Sequence, residues 1–362
     1  MKILLVITKA EIGGAQAFVL NLAKSLKLKG LEVAVAAGDG DYLPSELAKH
    51  NIDFFYLKSL KRSRNPLLVF SFVRELFSLL KKEKFTVLHL NSTNTLPGVI
   101  AACWLSKKIK TVFTVHGLSV LDKNYQANFF VKFLFKAYFK FFLKFVNKTV
   151  FVSDYNYKET KEVGIIKQGD VIYNGLDLDE NNFLERNKAR EELERMASVN
   201  LQNSFIIGSI GRLSKEKNYE FIINLWPLVK QIKPNAKLII IGDGPEKEKY
   251  QKLIQKIQAG NDIFLLGAKE EASRLLKGFD LFILPSIYEG LSISLIETQF
   301  AGICALASDV GGNSEVIGEA NCFDLNNKQE FLNKLGTGVI FQDRREKFHL
   351  NKMIADYIRV YE

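Results

Sequence analysis

The sequence predicts an α/β protein built from two doubly wound, parallel-sheet domains in tandem. Three observations carry this prediction. Short β-branched runs alternate with amphipathic helical stretches along almost the whole chain, the pattern of parallel sheets covered on both faces. The alternation restarts after a polar, charged stretch at 178–203 with a second buried-strand sequence, Phe205-Ile206-Ile207-Gly208-Ser209-Ile210. At roughly 100–200 residues per domain, 362 residues supply two cores.

In order, strands are expected near 2–8, 32–37, 53–57, 86–90, 111–115, 149–152 and 170–173. After the restart they fall near 205–210, 237–241, 263–266, 281–285 and 303–307. The first helix, about 15–29, carries Phe18, Leu22 and Leu26 on one face and stops at Gly30. The domain boundary falls near 172–178. In such sheets ligands bind outside the carboxyl ends of the strands, so the residues just after each strand are the informative ones.

Composition removes several classes. With 47% apolar and 25% charged residues, 24 Gly and 7 Pro, the chain is neither fibrous nor low-complexity. Cys103, Cys304 and Cys322 are odd in number, far apart and outside any C-x-x-C, which predicts no disulfide framework or zinc site and fits a reducing cytosol. The apolar run at residues 2–7 stops at Thr8-Lys9 and reads as a first strand, not a signal peptide. No stretch of 18 apolar residues is present to span a bilayer.

The formal charge of +10 is uneven: residues 1–175 hold 26 Lys/Arg against 13 Asp/Glu, and 176–362 hold 24 against 27. A basic half implies an anionic partner. Between Lys123 and Ser153 there is no acidic residue, and Lys132, Lys136, Lys140, Lys144 and Lys148 recur every fourth position among many phenylalanines. At 100° per residue that spacing drifts by only about 40° per step, so the five lysines are expected to form one winding stripe on a helix. Segment 126–148, with Lys58, Lys61, Arg62 and Arg64, is therefore expected to meet an anionic membrane surface. Packing of the same rings against the sheet is the competing explanation. Nucleic acid is not expected, since no reader motif or aromatic stacking platform is visible.

Four strand ends carry candidate chemistry. Gly13-Gly14-Ala15-Gln16 opens a helix whose free N–H groups suit an anion; a tight strand-to-helix turn explains the same glycines. Without G-x-G-x-x-G, a dehydrogenase is disfavoured. His116-Gly117 follows the strand at 111–115, where a ligand or a structural hydrogen bond accounts for the histidine equally. The four histidines, at 50, 89, 116 and 349, show no metal spacing. Gly211-Arg212-Leu213-Ser214-Lys215-Glu216-Lys217-Asn218 offers Arg212 and Lys217 to a diphosphate, or is a solvated loop. The run from Pro285 to Glu297 places Glu289 and Gly290 in a turn facing the ligand side. N–H groups of 291–295, around Leu291 and Ser292, are expected to be free for phosphate. Ser294-x-x-Glu297 matches a capping box, a structural reason for Glu297. Asp39-x-Asp41 and Asp177-x-Asp179 are discounted as metal ligands, since such pairs are common by chance.

In this order the motifs resemble the retaining, nucleotide-sugar-dependent glycosyltransferases of family 4. The resemblance also rests on Val152-Ser153, Ile172-Tyr173-Asn174-Gly175-Leu176-Asp177, Gly242-Asp243-Gly244-Pro245 and Glu289-x7-Glu297, and covers nearly the whole chain. It implies the GT-B fold: a Rossmann-like acceptor domain at 1–174, a nucleotide-sugar domain at 175–344, and a helix at 345–362 crossing back onto the first. By resemblance, Arg212 and Lys217 hold the donor diphosphate, Glu289 contacts the transferred sugar, Glu297 holds the ribose, His116 lies by the sugar, and Gly13-Gly14 approach phosphates or acceptor. The family pattern is broken at Thr298, where Ala is usual, and at Asn313-Ser314-Glu315, where Pro-Glu is usual. Neither change removes a charge. The expected reaction is metal- and cofactor-independent transfer, with retention, from a nucleoside diphosphate sugar, a UDP-sugar first, to a lipid-linked or other glycan acceptor at the cytoplasmic face of the membrane. A non-catalytic sugar-nucleotide-binding subunit and a same-fold epimerase or hydrolase remain as alternatives.

Overall fold

The structure, a computed structural model, describes residues 1–63, 65–105, 109–117 and 128–362; Arg64 and the first two residues of segment 126–148 lie outside them. The chain divides into two compact units, Met1–Gly175 with Leu350–Glu362, and Leu176–His349.

The first unit holds seven parallel strands: β1 (Lys2–Ile7), β2 (Glu32–Ala37), β3 (Asp53–Tyr56), β4 (Val87–Asn91), β5 (Lys110–Val115), β6 (Lys148–Phe151) and β7 (Asp170–Val171). Their order is β3-β2-β1-β4-β5-β6-β7, so the winding reverses between β1 and β4. The pleat sorts β1 strictly by parity. Ile3, Leu5 and Ile7 meet Phe18, Leu22 and Leu26 of the helix Gly14–Leu28, while Leu4 and Val6 share the other core with Phe72, Leu76 and Leu80 of the helix Pro66–Glu83.

The final helix, Leu350–Tyr361, buries Met353, Ile354, Tyr357, Val360 and Tyr361, a spacing that gives one apolar face. That face completes the β1 side of the first core. Its two tyrosines also satisfy polar groups inside the sheet. Tyr361 Oη lies 2.7 Å from His89 Nδ1, and Tyr357 Oη lies 2.9 Å from Thr114 Oγ1, which is 2.7 Å from His89 Nε2. The returning element is shorter than 345–362. The turn Arg345–Phe348 belongs to the second unit, where Leu176 N–H donates to the Phe348 carbonyl.

The second unit holds β8 (Phe205–Ile210), β9 (Ala236–Ile241), β10 (Ile263–Leu265), β11 (Leu281–Leu284), β12 (Ala305–Ser308) and β13 (Cys322–Phe323). The order β10-β9-β8-β11-β12-β13 again reverses at one place, between β8 and β11. The edge strand β13 was not among the expected strands.

Segment 126–148 departs from the expected single stripe. The helix spans Phe129–Leu143, so Lys132, Lys136 and Lys140 ride on it and Lys144 caps its end. Lys148 opens β6 and pairs with Asp170 at 3.6 Å. Of this helix only Phe139 is fully buried. Phe135, Tyr138 and Phe142 pack partly against the core, while Phe129, Phe130, Phe133, Leu134 and Phe141 are exposed, Phe129 to 85%. Core packing thus accounts for one face of the helix and leaves another apolar face in solvent. Among the described residues, no helix is long and apolar enough to cross a membrane.

Candidate active site

Each reversal of strand order splays two loops apart at the carboxyl edge of its sheet, and the expected site residues sit on those loops or next to them. In the second unit, β8 ends at Ile210 and runs into the loop bearing Arg212 and Lys217, with Lys217 in the one-turn segment Lys215–Lys217. Gly242 and Gly244 explain how that loop is held. A Cβ at Gly242 would lie 1.9 Å from the Gly211 carbonyl oxygen, so only glycine lets the loop after β9 press against it. Gly211 N–H then donates to Ile241 and Leu213 N–H to Asp243.

After β11 comes the loop with Glu289. Its Oε1 accepts from Lys217 Nζ at 2.7 Å and from Ser286 Oγ at 2.7 Å. The side chains of Lys217 and Glu289 are only 22% and 13% exposed. Two residues expected to serve different parts of a ligand therefore bind one another across 72 positions of sequence. A second fastening comes from β12: Ser308 Oγ donates to the Ser286 carbonyl, and Gly312 N–H to the Gly290 carbonyl. Arg212 is exposed and has no side-chain hydrogen bond or ion pair among the described residues.

The helix that follows differs from expectation in its cap. It spans Ile293–Ala301, and the N-cap is Ser292, whose Oγ accepts from Leu295 N–H at 3.4 Å. Ser294 thus lies inside the first turn, and Glu297 is too far along to close a capping box. Of the N–H groups of 291–295, that of Leu295 is taken by the cap. Those of Ile293 and Ser294 have no partner among the described residues and remain at the open helix end. Glu297 is partly buried on the helix, and desolvation raises its carboxyl pKa to about 7, against an opposing hydrogen bond with Ser273.

In the first unit, Gly13 is the N-cap of the helix Gly14–Leu28, with extended backbone at φ 175°. The first turn carries no acidic residue and no side-chain cap, so its N–H groups are free of side-chain competition. His116 follows β5 directly. Its ring packs edge-on against Phe18 at 4.8 Å, and its Nε2 lies 3.1 Å from Oδ1 of the fully buried Asn91. Asn91 Nδ2 donates to the His89 carbonyl at 3.4 Å, which fixes the amide orientation. Oδ1 can only accept, so this network assigns the His116 proton to Nε2 and leaves Nδ1 as an acceptor. Burial lowers the His116 pKa to about 4, making it a neutral imidazole near pH 7.

Asn91, Ser286 and Ser273 were missed from the sequence. Ser286 stands beside Glu289 and was within reach of a motif reading. Asn91 and Ser273 lie 25 and 24 positions from the residues they serve, and no local pattern marks them.

Two parts of the chain match known families. Residues 12–180 match the family described as Glycosyltransferase Family 4, and residues 191–351 that described as Glycosyl transferases group 1. The chain belongs to the family 4, group 1 glycosyltransferases. This glycosyltransferase is 27% identical over 296 residues to the UDP-Gal:alpha-D-GlcNAc-diphosphoundecaprenol alpha-1,3-galactosyltransferase of Escherichia coli, covering 78% of this chain and 73% of that one. It is 25% identical over 354 residues to a Campylobacter jejuni N-acetylgalactosaminyltransferase named for a diphospho-undecaprenol substrate, covering 94% and 90%. Its fold is GT-B: Anabaena HepE, solved with UDP and glucose, superposes with a TM-score of 0.79 over 99% of both chains at 19% identity.

Proposed function

We propose that this glycosyltransferase moves a sugar from a nucleoside diphosphate sugar, a UDP-sugar first, to a hydroxyl of a lipid-linked glycan, with retention of configuration and without a metal. The observation that carries this reading is the Lys217–Glu289 pair at the strand reversal of the second sheet, beside an open helix N-terminus and the unpaired Arg212. The names of relatives that act on diphospho-undecaprenol substrates support the acceptor class.

In this mechanism the acceptor oxygen attacks the anomeric carbon as the bond to the β-phosphate oxygen breaks. That oxygen keeps the electron pair and takes the acceptor proton. Charge grows on the diphosphate, so fixed positive groups must already stand there. Lys217, Arg212 and the N–H groups of Ile293 and Ser294 supply them. The diphosphate draws Lys217 from Glu289, whose freed carboxylate accepts from sugar hydroxyls. His116, neutral, offers Nδ1 to another sugar hydroxyl, Glu297 holds the ribose, and Gly13-Gly14 approach the phosphates or the acceptor.

The first unit carries the acceptor and adsorbs to an anionic cytoplasmic leaflet through the Phe129–Leu143 helix. Exposed phenylalanines and Lys136, Lys140 and Lys144 support this reading, each lysine near the surface being worth about 1 kcal/mol. The deciding experiment is a turnover screen against UDP-, GDP- and ADP-sugars with lipid-linked acceptors, with and without EDTA. Transfer only with metal present, or hydrolysis in place of transfer, refutes it.

A further inference from the structure

The first unit contains a groove of about 520 Å³, inside the roughly 300–1,000 Å³ range of small-molecule sites. Leu68, Val69 and Phe72 of the helix Pro66–Glu83 form one wall, and Val131, Leu134 and Phe135 of the helix Phe129–Leu143 form the other. Its floor includes Pro97 and Gly117, the residue after His116. Tyr138 also lines it, with its Oη donating to the Thr93 carbonyl at 2.9 Å, so that hydroxyl is satisfied without a ligand.

Three features point to the occupant. The lining is mainly apolar, and none of the described residues that line it is acidic. Its charged lining residue is Lys61, exposed next to the exposed Arg62, and Ser59, Ser63 and Asn94 stand on the same side. Both walls continue outward as exposed apolar surface: Leu67 and Phe70 on one helix, Phe130 and Phe133 on the other. Large apolar side chains left exposed on both wall helices are what an interaction site requires. A chain that is apolar along its length and anionic at its head fits this arrangement.

We propose that the groove seats the first isoprenoid units of a polyprenyl diphosphate-linked acceptor, with Lys61 and Arg62 at the diphosphate. The inference rests on the lipid-linked reading above and deepens it: the head of the lipid leaves the bilayer and is held by protein, beside His116.

Farnesyl diphosphate is the probe, titrated calorimetrically into the full chain loaded with excess UDP so that the diphosphate cations of the second unit are occupied. Farnesyl diphosphate is expected to bind while inorganic pyrophosphate does not. Leu134→Gln, at a half-exposed position, and Lys61→Gln are each expected to weaken farnesyl diphosphate at least tenfold while UDP affinity and melting temperature stay unchanged. No farnesyl diphosphate binding in protein that still binds UDP overturns the groove assignment and leaves the transferase reading intact. Binding that Leu134→Gln does not weaken, or that short-chain phosphatidylglycerol matches in affinity, also overturns it, the latter assigning the groove to bilayer lipid.

Discussion

Replacing Glu289 with Gln tests the pairing at the centre of the site. The carboxylate holds Lys217 and the Ser286 hydroxyl through one oxygen, each at 2.7 Å, with both charged side chains mostly out of solvent. Removing one member of a fully buried pair costs about 3–5 kcal/mol, because the remaining charge stays desolvated. Lys217 keeps some solvent contact, and the amide oxygen of Gln still accepts from it, so about 1–3 kcal/mol is expected in the second unit. The same variant should lose at least about tenfold in turnover with a UDP-sugar, or roughly 1.4 kcal/mol of barrier. UDP alone, which lacks the sugar, should bind the variant at least as tightly as the wild type, since Lys217 no longer has to leave a carboxylate. Calorimetric melting, UDP titration and initial rates on one preparation separate these effects. Wild-type melting together with weakened UDP binding refutes the reasoning, because Lys217 would then not be shared between Glu289 and the diphosphate.

Other outcomes follow from groups whose protonation or backbone is constrained. Glu297, raised to about 7 by burial, keeps a proton that the unfolded chain releases near 4.5. Its cost to stability therefore grows as pH rises through that window and is fully present above pH 7; Glu297→Gln should melt higher than wild type at pH 8, equal it at pH 4, and bind UDP more weakly. His116 and His89, lowered by burial to about 4 and about 3, make the first unit lose stability as pH falls from 6.5 toward 3. A Trp226→Phe background leaves Trp104 to report on that unit alone, and denaturant midpoints by its fluorescence should drop between pH 7 and pH 4.5. Gly311→Ala puts a Cβ 2.0 Å from the Glu289 carbonyl oxygen at φ +54°, so it should displace the Glu289 loop and cut turnover more than it lowers UDP affinity. Phe139→Ala should cost about 3–5 kcal/mol, since that ring alone of its helix is fully buried.

What the sequence determined by itself was the class and the sites of attention. Buried parallel strands need both faces apolar, and runs such as Ile3–Ile7 and Phe205–Ile210 say so locally. Loops at strand ends carry their glycines, cations and carboxylates in the open, which made Arg212, Lys217, Glu289 and His116 legible. What only the tertiary structure decided were the pairings between them. The Lys217–Glu289 ion pair, the Asn91 amide that sets the His116 proton, and the two tyrosines of the last helix inside the first sheet all join residues 25 to 272 positions apart. No periodicity encodes such partners, because they meet only once the strand order has been chosen. Helix ends were decided the same way: Ser292 rather than Ser294 caps its helix, and the lysine stripe breaks at Lys144. Spacing of four places lysines on one face, but the demand of β6 for extended backbone ends the helix before Lys148 can join it.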